Sequence, residues 1–229
     1  MTFTNKTVII TGGSKGIGRG ITERFSAAGA NVIICGRREP ESLPANTHFI
    51  SLDIRADEAA QALVDFALEK TGRIDTVINN AGGGPPVASA EASHNLTNKV
   101  IALNLTAPIF LSQAAYPHLK KSGGSIINIS SVSATRSSPG SIAYGAAKAG
   151  LLAVTTSLAM EWAPDIRVNA IIVGLVKTEA SEDHYGGPKG MKFLAEALPM
   201  KRMGDPSDIA KACLFLADET NSYVSGAAL

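Results

Sequence analysis

The sequence predicts an α/β protein in three layers, with a doubly wound, mainly parallel sheet of seven strands between two layers of helices. Three observations carry this. Short β-branched runs recur along the chain. Ala/Leu-rich stretches with helical spacing lie between them. The runs are apolar at consecutive positions rather than at alternate ones, as strands covered on both faces require.

Taken in order, the runs fall at 7–11, 31–35, 48–52, 75–79, 125–129 and 167–172. Each is too short for a helix. Between the third and fourth, Ala59, Leu63, Phe66 and Ala67 form one apolar helical stripe. Between the fifth and sixth, Leu151, Leu152, Val154, Thr155 and Leu158 continue a second. Asp205 and Pro206 suit an N-cap and a first helical position, so a helix runs from there through Ala217. A last short strand lies near Ala227. Strict βα alternation implies right-handed crossovers that place helices on both faces of a parallel sheet.

Without a linker, repeat or low-complexity block, residues 1–229 read as a single domain. The least regular stretch, 179–198, contains Gly186, Gly187, Pro188 and Gly190 and reads as a mobile loop or lid.

Composition excludes several function classes. Of 229 residues, 45% are hydrophobic and 18% charged, enough apolar material for a sizeable core. Twenty-one basic and 20 acidic side chains give a net charge of +1, which leaves no basic footprint for nucleic acid and no polybasic membrane patch. No apolar stretch nears the roughly 18 residues that a bilayer span needs. Two distant cysteines, Cys35 and Cys213, support neither a disulfide scaffold nor a metal cluster. Histidines 48, 94, 118 and 184 lack partner spacing, so no metal is expected. The polar N-terminus does not resemble a secretory signal, and a cytoplasmic location is expected.

The first strand is followed by Thr11-Gly12-Gly13-Ser14-Lys15-Gly16-Ile17-Gly18. Glycines 12, 16 and 18 sit where strand turns into helix, where φ > 0 and close backbone approach are both needed to cradle a pyrophosphate. The spacing is G-x-x-x-G-x-G rather than the commoner G-x-G-x-x-G. A turn so placed reads as a dinucleotide site. An acid about 20 residues on would bind the ribose 2′-hydroxyl of NAD. Here the second strand ends in Cys35-Gly36-Arg37-Arg38, and the acid is missing. Arg37, with Lys15 in the glycine turn, suits a 2′-phosphate, so NADP(H) is the expected cofactor and NAD(H) the lesser option.

Tyr144-Gly-Ala-Ala-Lys148 places a phenol and an ammonium one helical turn apart, with Cβ atoms about 5–6 Å apart. A free tyrosine has a pKa of about 10, and a neighbouring cation favours its phenolate. Tyr144 is thus a candidate general acid–base, with Lys148 as its tuner. Ser131 follows the fifth strand, where ligands of parallel sheets bind. A serine there can polarise a carbonyl, and by spacing alone Ser130, Ser133, Ser137 and Ser138 are alternatives.

These motifs, with Asp53, Asn79-Asn80-Ala81-Gly82, Asn104 and the Val168-Asn169 strand leading to Gly174 and Thr178, resemble the short-chain dehydrogenase/reductase family along nearly the whole chain. The resemblance is to members of the 3-oxoacyl-(acyl carrier protein) reductase type. It implies the Rossmann arrangement and interconversion of a carbonyl and a secondary alcohol by hydride transfer. It implies four catalytic residues. Ser131 would hold the carbonyl and Tyr144 donate the proton. Lys148 would lower the tyrosine pKa and bind the nicotinamide ribose. Asn104 would hold a water that links Lys148 to solvent; it reads equally as a polar residue capping a helix kink.

The implied cofactor surface takes Gly12, Ser14, Lys15, Gly16, Ile17 and Gly18 from the turn and Arg37 from the second strand. Asp53 and Ile54 would sit at adenine, and Asn80, Ala81 and Gly82 along the ribose, with Asn79 bracing the sheet. Tyr144, Lys148, Gly174, Val176 and Thr178 would lie at the nicotinamide side. The family's usual Pro-Gly after the sixth strand is Val173-Gly174 here, which should loosen that turn.

The substrate is expected to be a small, mostly apolar carbonyl or alcohol. It would be bound by Gly83, Gly84, Ser133, Leu175 and the lid, which offers His184, Tyr185, Met191 and Phe193. Arg202 could meet an acyl carrier or a phosphate. Helices near 98–121 and 142–163 would pair copies into a homodimer or homotetramer. The chain stops at Ser225-Gly226-Ala227-Ala228-Leu229, where the family continues into a Gly-rich tail, so a shortened C-terminus is expected. The competing reading is a catalytically idle nucleotide sensor of the same fold. Retention of Ser131, Tyr144, Lys148 and Asn104 argues against it.

Overall fold

Period-2 alternation within each apolar run sends successive side chains to opposite faces, and the chain uses both. A computed structural model describes residues 1–179 and 181–229, without the side chains of Asp183 and His184. In β1 (Thr7–Thr11), Ile9 enters one core while Val8 and Ile10 enter the other. β2 (Asn31–Gly36), β4 (Thr76–Asn79), β5 (Ser125–Ser131) and β6 (Arg167–Val173) divide likewise: Ile33, Val77, Ile126 and Val168 on one face, Ile34, Ile78, Ile127 and Ile171 on the other. β3 (Thr47–Ser51) is only half-buried.

The strand order is β3-β2-β1-β4-β5-β6, and every neighbouring pair is parallel. One face is covered by α2 (Ala59–Thr71) and α4 (Ala107–Ser122) through Leu63, Val64, Leu111 and Leu119. The other is covered by α1 (Gly16–Ala27) and α8 (Pro206–Ala217) through Ile21, Phe25, Cys213 and Leu216. Asp205 caps α8 by accepting from Ser207 N–H (2.8 Å), and Asp208 closes a capping box. Chain order reverses beside β1, with β2 on one side and β4 on the other. Loops at the carboxyl ends part there and leave a crevice.

Three expectations change. The sheet has six strands, not seven, among the described residues. The expected last strand is reduced to a bridge between Ala170 and Ala228. Backbone bonds from Gly226 to Val168 (2.8 Å) and from Ile172 to Leu229 (2.7 Å) flank it. Gly226, at φ +79, turns the chain out of extended geometry just before this pairing.

The stretch expected as an irregular loop holds two helices, α6 (Ser181–His184) and α7 (Gly187–Ala197). Gly186 and Gly187 take φ of +78 and +72, and Pro188 occupies the first turn of α7. These residues punctuate helices rather than prevent them. Ala180, within this stretch, lies outside the described residues.

Finally, the helical paths 94–122 and 142–161 are long and apolar enough by length and composition to cross a bilayer, contrary to the sequence expectation. Their apolarity has a packing use: Leu111, Ala115, Leu119, Ala147 and Leu151 are fully buried within the fold.

Ile126 lies in a central strand with no exposed surface. Ile126→Ala should cost about 2–5 kcal/mol, measured by urea denaturation. Tyr223→Ala, at a fully exposed residue, should stay within about 0.5 kcal/mol of the parent.

Candidate active site

The glycine turn lies between β1 and α1. Gly12 and Gly16 take φ of +65 and +50, a region that other residues enter at a cost. At Gly18 the constraint is space: a Cβ there would lie 2.2 Å from the Gly12 carbonyl oxygen and 2.5 Å from Asn80 Nδ2. Asn80, after β4, donates from Nδ2 to the carbonyls of Thr11 (2.9 Å) and Gly12 (3.3 Å). Thr11 Oγ1 accepts in return from the N–H groups of Asn80 (3.0 Å) and Ala81 (2.9 Å). The side chain expected along the ribose is therefore committed to holding the turn. Thr11, absent from the sequence-based set, is its partner. Ser14 is half-buried near the end of β2, and Ile17 is half-buried.

At the adenosine end, Lys15 and Arg37 are exposed. Asp53 is not free, because Arg55 grips it with Nε (2.9 and 3.2 Å) and Nη2, and its carboxylate also accepts from the Arg55 N–H (3.1 Å). The Arg55 hydrogen bonds, with weaker help from the charge on Arg37, hold the Asp53 carboxyl down to about 2. Arg55, two residues beyond Asp53, was legible only as a spacing. The Ile54 side chain is buried in one core and that of Val176 in the other. Both were expected at the cofactor.

The reactive groups gather at the carboxyl end of β5 and the start of α5 (Ile142–Glu161). Ser131 is nearly buried, accepts from Ser133 N–H (3.2 Å) and hydrogen-bonds the Tyr144 phenol. The other serines lie differently: Ser130 Oγ donates to the Lys148 carbonyl (3.1 Å), and Ser138 Oγ pairs with Ser141 Oγ (2.9 Å).

Lys148 is 2% exposed, and its Nζ donates to the Ile129 carbonyl (2.8 Å). Burial pulls its pKa down to about 8. Nζ lies 5.7 Å from the centre of the Tyr144 ring. Burial raises the Tyr144 pKa, the Ser131 hydrogen bond opposes it, and Tyr185 adds to the rise. The expected lowering of the phenol by its lysine is outweighed by burial of the phenol itself, while Lys148, pulled down to about 8, stays mostly protonated at neutral pH.

Asn104 lies in a π-helical turn (Ala102–Thr106) between α3 (His94–Ile101) and α4. Single π turns recur at functional sites. It is fully buried. Its Oδ1 accepts from Gly83 N–H, and Nδ2 donates to the Gly83 and Val100 carbonyls, all at 2.9 Å. Gly82 keeps the space between the two polar groups open: a Cβ there would lie 2.7 Å from Asn104 Oδ1 and 3.1 Å from Lys148 Nζ.

Beyond β6, Gly174 takes no positive φ and has open space around it. Val173 pairs in register with Ser131, so it extends the strand where a turn was expected to loosen. The Thr178 hydroxyl is within 3.2 Å of Ser181 Oγ, and Thr178 N–H donates to the same oxygen (2.7 Å). Glu179, unforeseen, accepts from Gly16 N–H at 3.1 Å. Of the expected lid contacts, Phe193 is 71% exposed and faces solvent, Met191 and Tyr185 are half-buried, and the His184 side chain lies outside the described residues. Beside Tyr144, a small cleft is lined by Gly84, Pro85, Val87, Leu96, Val100 and Ile142.

The turn keeps its tight shape because residue 18 lacks a Cβ, and the amides at the start of α1 offer donors to a diphosphate. The residues present therefore fit a dinucleotide. Comparison with known proteins agrees. A family model described as enoyl-(acyl carrier protein) reductase matches residues 12–229. Glucose 1-dehydrogenase 2 of Bacillus subtilis (strain 168) is 35% identical over 241 residues, covering 99% of this chain and 93% of that protein. The ligand-free aldohexose dehydrogenase of Thermoplasma acidophilum superposes with a TM-score of 0.93 at 30% identity, covering 99% and 92% of the two chains. ElxO with NADP bound gives 0.90 at 31% identity, covering 98% and 96%.

Gly18→Ala should abolish dinucleotide binding in fluorescence titration, because the methyl meets backbone rather than a movable side chain. Lys148 gives a pH signature. With its folded pKa depressed to about 8 from 10.5, the unfolded chain binds more protons between those values, so stability contributed by this group rises with pH there. Relative to Lys148→Met, the parent should gain about 2 kcal/mol between roughly pH 7.5 and 9.5 in urea denaturation.

Proposed function

The chain belongs to the short-chain dehydrogenase/reductase family and is an oxidoreductase that uses a nicotinamide cofactor on a small-molecule substrate; from that premise we propose that it reduces a ketone or 3-oxoacyl carbonyl with NADPH and runs in reverse as an alcohol dehydrogenase. The observation that carries the reading is the cluster of Ser131, Tyr144 and Lys148 at the strand end beside the glycine turn.

When bound, the reduced nicotinamide supplies a hydride, two electrons and one hydrogen, to the carbonyl carbon. The chain's residues do the rest. Ser131 donates a hydrogen bond to the carbonyl oxygen and orients it. Tyr144 passes its phenolic proton to that oxygen as the C–O π bond breaks, so hydride and proton together give the alcohol. A phenol held above its usual pKa by burial is kept protonated for this step. Lys148 stands beside the ring as cation or neutral amine around pH 8. In its charged form it favours the phenolate left behind. Asn104 and Lys148 share the space that Gly82 leaves open, which suits a proton path to the tyrosine.

Preference for NADP(H) rests on Arg37 and Lys15, exposed where a 2′-phosphate would lie, with Asp53 already engaged by Arg55. The apolar lining beside Tyr144 favours a carbonyl with a hydrocarbon flank. Pairing of copies through α4 and α5 is supported by Phe110 and Met160, both exposed on those helices.

NADPH oxidation should be followed with ketones, 3-oxoacyl thioesters and aldoses. Tyr144→Phe should lower kcat by about 10²–10⁴-fold with NADPH affinity retained; a parent no faster than this variant on every substrate would refute an enzymatic role. The kcat/KM for NADPH should exceed that for NADH, and Arg37→Ala should narrow the gap. A parent preference for NADH would remove the role given to Arg37 and Lys15.

A further inference from the structure

Helix α1 has 12 residues and opens at Gly16. Its N-cap, Lys15, makes no side-chain cap, and no acid stands in its first turn. A helix N-terminus with free amides attracts an anion. The anion found there belongs to the protein: the Glu179 carboxylate accepts from Gly16 N–H with both oxygens, at 3.1 and 3.4 Å. It comes from 163 residues away, across the cleft.

The approach is close and its base is anchored. A Cβ on Gly16 would lie 3.2 Å from Thr178 Cγ2 and 3.7 Å from Glu179 Oε2. Upstream, Val176 bridges Gly204, and Lys177 N–H donates to the Gly204 carbonyl (2.8 Å). Ser181 Oγ ties back to Thr178 N–H (2.7 Å) and to the Val176 carbonyl (3.3 Å). The Glu179 side chain itself is exposed and bound by little else. It can therefore leave by rotation of its own side chain while its neighbours stay.

A carboxylate and a cofactor diphosphate would use the same donor and repel each other. We propose that Glu179 is an internal competitor of the cofactor's diphosphate. It holds the Gly16 amide until the dinucleotide arrives and must leave for it to bind. The inference rests on the reading of the glycine turn as a dinucleotide cradle. It adds a determinant of cofactor affinity on the substrate side of the cleft, in the segment that leads into α6 and α7. Occupancy of the cradle and the position of residue 179 are thereby coupled.

The alternative is a long-range helix cap with no bearing on ligands. Nicotinamide fluorescence titration of NADPH into the parent, Glu179→Gln and Glu179→Ala separates the two, with inorganic pyrophosphate as a competing probe. Both variants should bind NADPH and pyrophosphate more tightly, by about 2- to 5-fold, the range expected for one charge at a helix end. Unchanged or weaker binding in variants whose thermal melts show them folded would overturn the competitor role, leaving the reductase reading intact if the parent still turns over a carbonyl. A parent that binds neither NADPH nor NADH would overturn both. As a readout independent of affinity, the Gly16 amide resonance should shift in Glu179→Ala towards a solvent-exposed position; an unmoved resonance counts against the contact itself.

Discussion

Everything in the cleft depends on a reciprocal clamp between Thr11 and Asn80. These residues end β1 and follow β4, the pair of strands at which the chain order reverses. Loops at such a point diverge, and without a tie the crevice would have no fixed width. The Thr11 hydroxyl accepts two main-chain N–H groups from the β4 side, and the Asn80 amide returns two donations to the β1 side. Four hydrogen bonds across one junction hold the glycine turn in a shape its own residues do not enforce, since glycine is the residue with the most conformational freedom to lose. The clamp also explains why Gly18 admits no methyl: its nearest neighbours are the two clamped groups, the Gly12 carbonyl and the Asn80 amide.

The reacting end is organised by burial rather than by ion pairing. Among the described residues no carboxylate pairs with Lys148; its hydrogen bond goes to the Ile129 carbonyl. An ammonium in such a place gives up part of its charge, and the phenol beside it resists ionising for the same reason. The result is two groups whose proton affinities move apart, the lysine falling to about 8 while the phenol rises above its ordinary value. A phenol raised in this way keeps its proton near neutrality and can donate it.

Much of this was legible in the sequence, and the boundary is physical. Strands could be read because both faces of a parallel sheet are buried, so Val, Ile and Thr accumulate at consecutive positions, as in 7–11 and 125–129. The Tyr144 and Lys148 relation could be read because i and i+4 share a helix face regardless of what surrounds them. The failures depend on tertiary surroundings. Spacing says that Lys148 is near Tyr144 but not that Lys148 is 2% exposed, nor that burial of the phenol raises its own pKa. The segment around Gly186 and Gly187 reads as a loop because glycine marks both loops and helix junctions; the structure shows the second. Ile54 and Val176 match their motif positions, yet their side chains face the cores. No local pattern announces Glu179, whose partner is 163 residues away.

Those last positions separate two kinds of site residue. Where a motif position turns its side chain into a core, as at Ile54 and Val176, that side chain's identity reflects volume and shape. Where a polar side chain is involved, as at Asn80 and Asn104, its amide nitrogen is tied to neighbouring backbone: Asn80 Nδ2 serves Thr11 and Gly12, and the three hydrogen bonds at Asn104 involve Gly83 and Val100 alone. The groups left with capacity to act on a ligand are few: the amides of the turn, the exposed cations Lys15 and Arg37, and the Ser131–Tyr144–Lys148 cluster. A fold that spends most of its motif on holding two loops at a fixed separation can therefore change its substrate by altering the residues lining the small cleft at Val87, Leu96 and Val100, while the chemistry a few ångströms away stays the same.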